Sequence, residues 1–121
     1  MTQYVITPGD YWLGDPCYAL GDKSWAEITE TSAEFTKNPI ELNGHQLIIF
    51  PTALGDGVFE CSLGTIGVDA ALIGIVPVEA ADKEGGPQGM FRVTFAEPAV
   101  AEVKGSRLIF GPYDIDTNPT G

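Results

Sequence analysis

Ala71-Leu72-Ile73-Gly74-Ile75-Val76 does not alternate between apolar and polar residues. A strand with one face in water alternates, whereas a strand covered on both faces reads as a continuous apolar run. This stretch therefore predicts a central strand. Ile66 to Asp69, just before it, predicts either the first half of one bent strand or a short strand of its own. Further upstream, turns at Leu63-Gly64 and Gly55-Asp56-Gly57 bracket Val58-Phe59-Glu60-Cys61. Gln46 to Thr52 is a return strand after Asn43-Gly44, a strong two-residue hairpin signal, with Ile40 and Leu42 on its far side.

Downstream, Asp82 to Gln88 carries charge, paired glycines and a proline, the composition of a surface loop. Phe91, Val93 and Phe95 then alternate with Arg92 and Thr94, a half-buried strand. Ala99 to Val103 and Arg107 to Ile115 follow as strands around a Lys104-Gly105-Ser106 turn, and residues 118–121 are expected to fray. At the other end, Tyr4-Val5-Ile6 and Tyr11-Trp12-Leu13 are short strands stopped by Pro8-Gly9-Asp10 and Gly14-Asp15-Pro16. One helix is expected near Ser24. Ser24 and Glu27 have capping-box spacing, and Trp25, Ile28, Ser32 and Phe35 form a modest apolar face. The expected fold is mostly β (α+β): a small curled sheet or barrel of seven to nine strands with one helix packed on it.

The chain's 121 residues suit a single domain spanning 1–121. Hydrophobic residues at 44% and charged residues at 19% mark a globular chain. The charge of -11, from 17 acids against 6 bases, opposes binding to nucleic acid or to an anionic membrane and suits a basic protein partner. The first ten residues carry neither a basic region nor a long apolar run, so no leader is expected. Ala70 to Val78 falls far short of the roughly 18 residues of a membrane helix. A cytoplasmic setting with Cys17 and Cys61 reduced follows as the expectation.

Three segments, YWLGDPCYAL (Tyr11 to Leu20), TALGDGVFE (Thr52 to Glu60) and VDAALIGIVPV (Val68 to Val78), occur in that order. Together they resemble a group of small, uncharacterised phage and bacterial proteins with a G-D-P-C-Y opening and a later G-D-G turn. Phe59 stands where that group places an aromatic residue. The resemblance covers most of the chain, to near FGPYDIDT (Phe110 to Thr117). It implies a phage-associated, cytoplasmic setting, in the host cell if phage-encoded, and no catalytic residues.

Cys17, in a turn beside Asp15, could act as a nucleophile with His45 as base. The adjacent carboxylate would suppress the thiolate, which favours a structural thiol. His45 is the only histidine and follows a hairpin turn, where a solvated residue is the simpler reading. Asp15, Asp56 and Asp69 all sit in or beside glycine turns. If those turns converge, the carboxylates could hold Mg²⁺ or Ca²⁺, or work as an acid and base pair. Otherwise each accepts backbone N–H groups in its own turn. Asp114 and Asp116 share a face of the last strand, as a metal half-site or as charge shown by an edge strand. Most of the early aromatics, Tyr4, Tyr11, Trp12, Tyr18 and Trp25, are expected in the core, with Trp12 and Tyr18 the candidates for lining a groove.

These readings order the functions. The first is a non-enzymatic, phage-associated interaction protein. It would bind and inhibit a basic host protein, plausibly one of a bacterial defence system, through its acidic surface. A small-molecule sponge with Arg92 and Arg107 as anion contacts is the alternative. A metal-dependent hydrolase using Asp15, Asp56 and Asp69 is the third. No cofactor is implied beyond a divalent cation in that last case. A homodimer would follow if Leu72 to Val76 lay at a sheet edge.

Overall fold

The computed structural model describes residues 3–31, 37–42, 44–81 and 89–118. Ser32, Phe35, Asn43, the 82–88 loop and the last three residues of the C-terminal tail lie outside the described residues. Among the described residues the fold is mostly β with one α-helix. In chain order the strands are β1 (Gln3–Ile6), β2 (Gly9–Gly14), β3 (Ile40–Leu42), β4 (His45–Pro51), β5 (Gly57–Cys61), β6 (Gly64–Val68), β7 (Leu72–Pro77), β8 (Phe91–Phe95), β9 (Ala99–Lys104), β10 (Arg107–Phe110) and β11 (Tyr113–Asp116). The helix, α1, spans Asp22–Thr31.

The strands form a five-stranded sheet in the order β3-β4-β7-β2-β8, a four-stranded sheet in the order β1-β9-β10-β11, and a β5-β6 ribbon. All their pairings are antiparallel. The eleven strands among the described residues exceed the expected seven to nine, partly because Arg107–Ile115 is a hairpin. Gly111 turns it at φ 60°, which a glycine adopts without Cβ strain. Nor do the sheets close into a barrel, since β1, β11, β3 and β8 remain terminal strands.

β7 is central, with β4 on one side and β2 on the other, and all six of its residues are buried. Strand alternation splits its side chains between two cores. Ile73 and Ile75 join Leu13, Ile48, Phe50 and Val93 against residues of the four-stranded sheet and the ribbon. Leu72 and Val76 join Leu47, Ile49 and Ile28 of α1 on the other side. Covering a large aliphatic side chain contributes about 1.5–3 kcal/mol, so a strand feeding two cores anchors both. Gly74 lies where no side chain fits. A Cβ there would stand 2.5 Å from the Ile48 carbonyl oxygen and 2.9 Å from Ile49 Cα. The central position also removes the expected route to a homodimer, because Leu72 to Val76 offers no free edge.

α1 begins two residues before Ser24, which therefore sits inside the first turn and not at the cap. Asp22 supplies the negative charge that the positive end of a helix favours. The Trp25 N–H donates to the Gly21 carbonyl at 2.9 Å. Among the described residues, no helix is long and apolar enough to cross a membrane.

Candidate functional site

β2 ends at Gly14, and Asp15 is held extended (φ -74°, ψ 117°) by the proline that follows it. The Asp15 side chain is fully buried. One carboxylate oxygen accepts the Cys17 N–H at 3.0 Å, capping the short 3-10 helix Pro16–Tyr18. The other accepts the N–H groups of Asp69 and Ala70, both at 2.7 Å. One carboxylate thus ties the turn after β2 to the turn between β6 and β7. That second turn contains Ala71 at φ 59°, a left-handed conformation that costs a residue with a Cβ about 1–2 kcal/mol. Asp15 therefore does accept from its own turn, as a local reading expects, but two of its three donors come from across the fold.

Tyr18 joins the same corner by donating its phenol O–H to the Asp69 carboxylate. That hydrogen bond is the main reason its pKa is pushed up to about 12, with burial second. The Cys17 thiol is also pushed up to about 12. Burial is the largest cause, followed by the hydrogen bond and charge of Asp15 and then the charges of Asp69 and Asp56. At neutral pH the thiolate fraction is on the order of 10⁻⁵, too small for a resting nucleophile.

Asp15, Tyr18 and Asp69 are thus in direct contact, and Asp56 adds its charge to the same corner. The last paired residues of the ribbon are Gly57 and Val68, so Asp56 and Asp69 follow next on opposite strands. Both are exposed. Among the described residues, no group of three or more His, Cys, Asp or Glu is arranged to hold a metal ion. Trp12 is half-buried against the helix-side core, on which Tyr18 and Ala70 also pack, with the Arg92 guanidinium 5.9 Å from its ring centroid.

His45 is far from Cys17. It lines a groove of about 390 Å³ at the opposite end of β2, with Thr7, Asp10, Tyr11, Gln46 and Glu79. Asp10 and Asp15 are five residues apart on an extended chain, roughly 17 Å. Asp10 accepts from the Thr94 hydroxyl at 2.6 Å and from Arg92 at 3.1 Å. Those bonds, Thr94's first, hold its carboxyl below the usual range. Arg107 grips Asp114 with its Nε at 3.0 and 3.1 Å and reaches Asp116 at 3.6 Å. Both arginines offered as anion contacts therefore already hold carboxylates. β11 is a terminal strand of its sheet, and its acids are bound to Arg107, Ser106 and the Asn118 N–H.

Sequence reasoning missed the setting of the 52–57 loop. The Thr52 N–H donates to the Ala71 carbonyl at 3.0 Å, and the Thr52 hydroxyl donates to the Gly55 carbonyl. The Ala53 N–H donates to the buried Thr117 hydroxyl at 2.9 Å. From this pinned loop Leu54 stands 55% exposed, and on the ribbon beside it Val58 is 69% exposed. A usable signal was present: no Lys or Arg occurs between Lys37 and Lys83. The chain matches no protein-family model, no curated protein and no solved structure.

Proposed function

We propose that this is a non-enzymatic interaction protein that binds a basic partner protein through an acidic surface. The observation that carries this reading is the segregation of charge. Arg92, Lys104 and Arg107 are paired with acids of β2, β9 and β11. The stretch from Lys37 to Lys83 contributes Asp56, Glu60 and Asp69 to the surface with no Lys or Arg of its own. Such a field attracts cationic surfaces and speeds their encounter. The chemistry at the Asp15 corner agrees with it, because the thiol there is protonated and the buried carboxylate is occupied by backbone donors.

The phage setting belongs to the motif resemblance, and inhibition of a host or defence protein is proposed from the small size and strong negative charge of the chain. Pull-down from bacterial lysate at low and high salt tests the reading. A discrete basic partner retained at low salt and released at high salt is expected. Retention of no partner at low salt contradicts it.

The groove at His45 favours a second reading, a small-molecule module. With Glu79 in its wall, and Asp10 there already bonded to Arg92 and Thr94, it suits a donor-rich ligand better than the phosphate-bearing one that Arg92 and Arg107 suggested. A thermal-shift panel of polyamines and nucleotides tests it: stabilisation by polyamines is expected, and no shift with any compound removes the reading.

A further inference from the structure

We propose that the docking face is the outer side of the β5-β6 ribbon with the 52–57 loop, and that its occupant is a partner-protein segment carrying an apolar side chain flanked by Lys or Arg. This rests on the basic-partner reading and deepens it. Phe59, Ile66 and Val68 point inward and are buried in the core. Alternation therefore sends Val58, Glu60, Thr65 and Gly67 outward. Val58 and Gly67 are directly opposite in register, and a Cβ built on Gly67 would meet nothing within 4 Å. The ribbon thus leaves a shallow notch beside an uncovered Val58.

Along the chain, Leu54, Asp56, Val58 and Glu60 are exposed at every second position, apolar then acidic. Asp69 flanks Asp56 across the ribbon's end, and like charges so placed repel until a cation comes between them. The hydrogen bonds of Thr52 and Ala53 hold the loop before anything binds, so little ordering is required on association. An apolar side chain seated between Leu54 and Val58 would carry its basic neighbours onto Asp56, Glu60 and Asp69. Charge complementarity thus chooses a basic segment over a second copy of this acidic chain.

The test is an NMR titration of isotope-labelled protein with the acetylated peptide GKVKLKG, compared with GKGKGKG, at low and high salt. The expected shifts are confined to residues 54–60 and 65–69, and the apolar-free peptide binds at least about 5-fold more weakly. Asp56→Asn with Glu60→Gln should weaken GKVKLKG about 10-fold. Val58→Ser should weaken it about 5-fold. Leu54→Ser, on the pinned loop, gives an independent second apolar test. Unchanged circular dichroism identifies variants that remain folded. Shifts spread over every acidic surface, equal affinity for the two peptides, or unaltered binding by the variants would overturn the proposal. Lysate pull-down separates the two levels. If the triple variant Asp56→Asn, Val58→Ser, Glu60→Gln retains the wild-type partner, the docking face is wrong and the basic-partner reading stands. If wild-type protein retains none, that reading itself fails.

Discussion

Replacing Asp15 with alanine should be among the most damaging single changes in the chain. The substitution strips the acceptor from three backbone N–H groups, those of Cys17, Asp69 and Ala70. A hydrogen bond to a charged group contributes about 1.5–3 kcal/mol, and an orphaned buried donor costs about 1–3 kcal/mol. The three do not simply add, because Asp69 is exposed and Ala70 half-buried, and water reaches their N–H groups once the turns separate. A net loss of about 3–4 kcal/mol follows. Asp15→Asn keeps one acceptor oxygen but turns an NH₂ towards a donor, for a loss of about 2 kcal/mol. The assay is urea unfolding. With a slope of about 1.5 kcal/mol per molar, the alanine midpoint falls by about 2 M. A second readout is independent of stability. In a Cys61→Ala background, the pH profile of Cys17 alkylation should move down from about 12 in Asp15→Asn, because the carboxylate's bond and charge are gone. It should remain above an ordinary thiol, because burial persists. A loss below about 1 kcal/mol, together with an unmoved profile, would refute the role of Asp15 in tying the two turns together.

Gly74→Ala should destabilise by about 1–3 kcal/mol or more through overpacking against Ile48 and Ile49 backbone, seen as a lower thermal midpoint with the same unfolded baseline. Asp10, Glu102 and Asp116 all have folded pKa values below their ordinary ones, led by bonds from Thr94, Gln3 and the Asn118 N–H respectively. A carboxylate so shifted binds fewer protons when folded. Its contribution is therefore complete above the unfolded value, near 3.8 for Asp10 and Asp116 and 4.5 for Glu102, and is lost as pH falls through the folded value. Thr94→Val should raise the Asp10 pKa in an NMR titration and leave Asp116 unmoved. Asp69→Asn should bring the Tyr18 phenol down from about 12 towards 10, read by ultraviolet titration against a Tyr18→Phe control. Because the folded value is raised, stability conferred through that phenol is full below pH 10 and declines towards 12.

Much of the fold was legible because its signals are local. The unbroken run at Leu72–Pro77 marked a two-faced central strand, and alternation at Phe91–Phe95 marked a one-faced one. Asn43-Gly44 placed the β3-β4 hairpin, where Leu42 faces His45. Ile66 to Val78 was ambiguous because apolar content alone does not reveal that β6 and β7 enter different sheets. The site was legible only in part. Glycine-flanked aspartates drew notice, but whether their turns meet depends on tertiary approach. Asp15 reaches Asp69 and Ala70 across more than 50 positions, with nothing in its own neighbourhood to announce them. The outward Val58 was equally hidden, because an apolar residue in a short strand reads the same on either face until its partners are known, and nothing in the loop sequence marks Leu54 as exposed.

The basic-partner reading rests on the exposed acids Asp56, Glu60 and Asp69 of the β5-β6 ribbon and its flanking turns. Its most direct test is the affinity of the lysate-retained partner, made recombinantly, for wild-type protein and for Asp56→Asn with Glu60→Gln across a salt series. Wild-type affinity is expected to fall as salt rises, and the variant to be about 10-fold weaker at low salt and to converge with wild type at high salt. Binding that is insensitive to salt and equal in both proteins would contradict it.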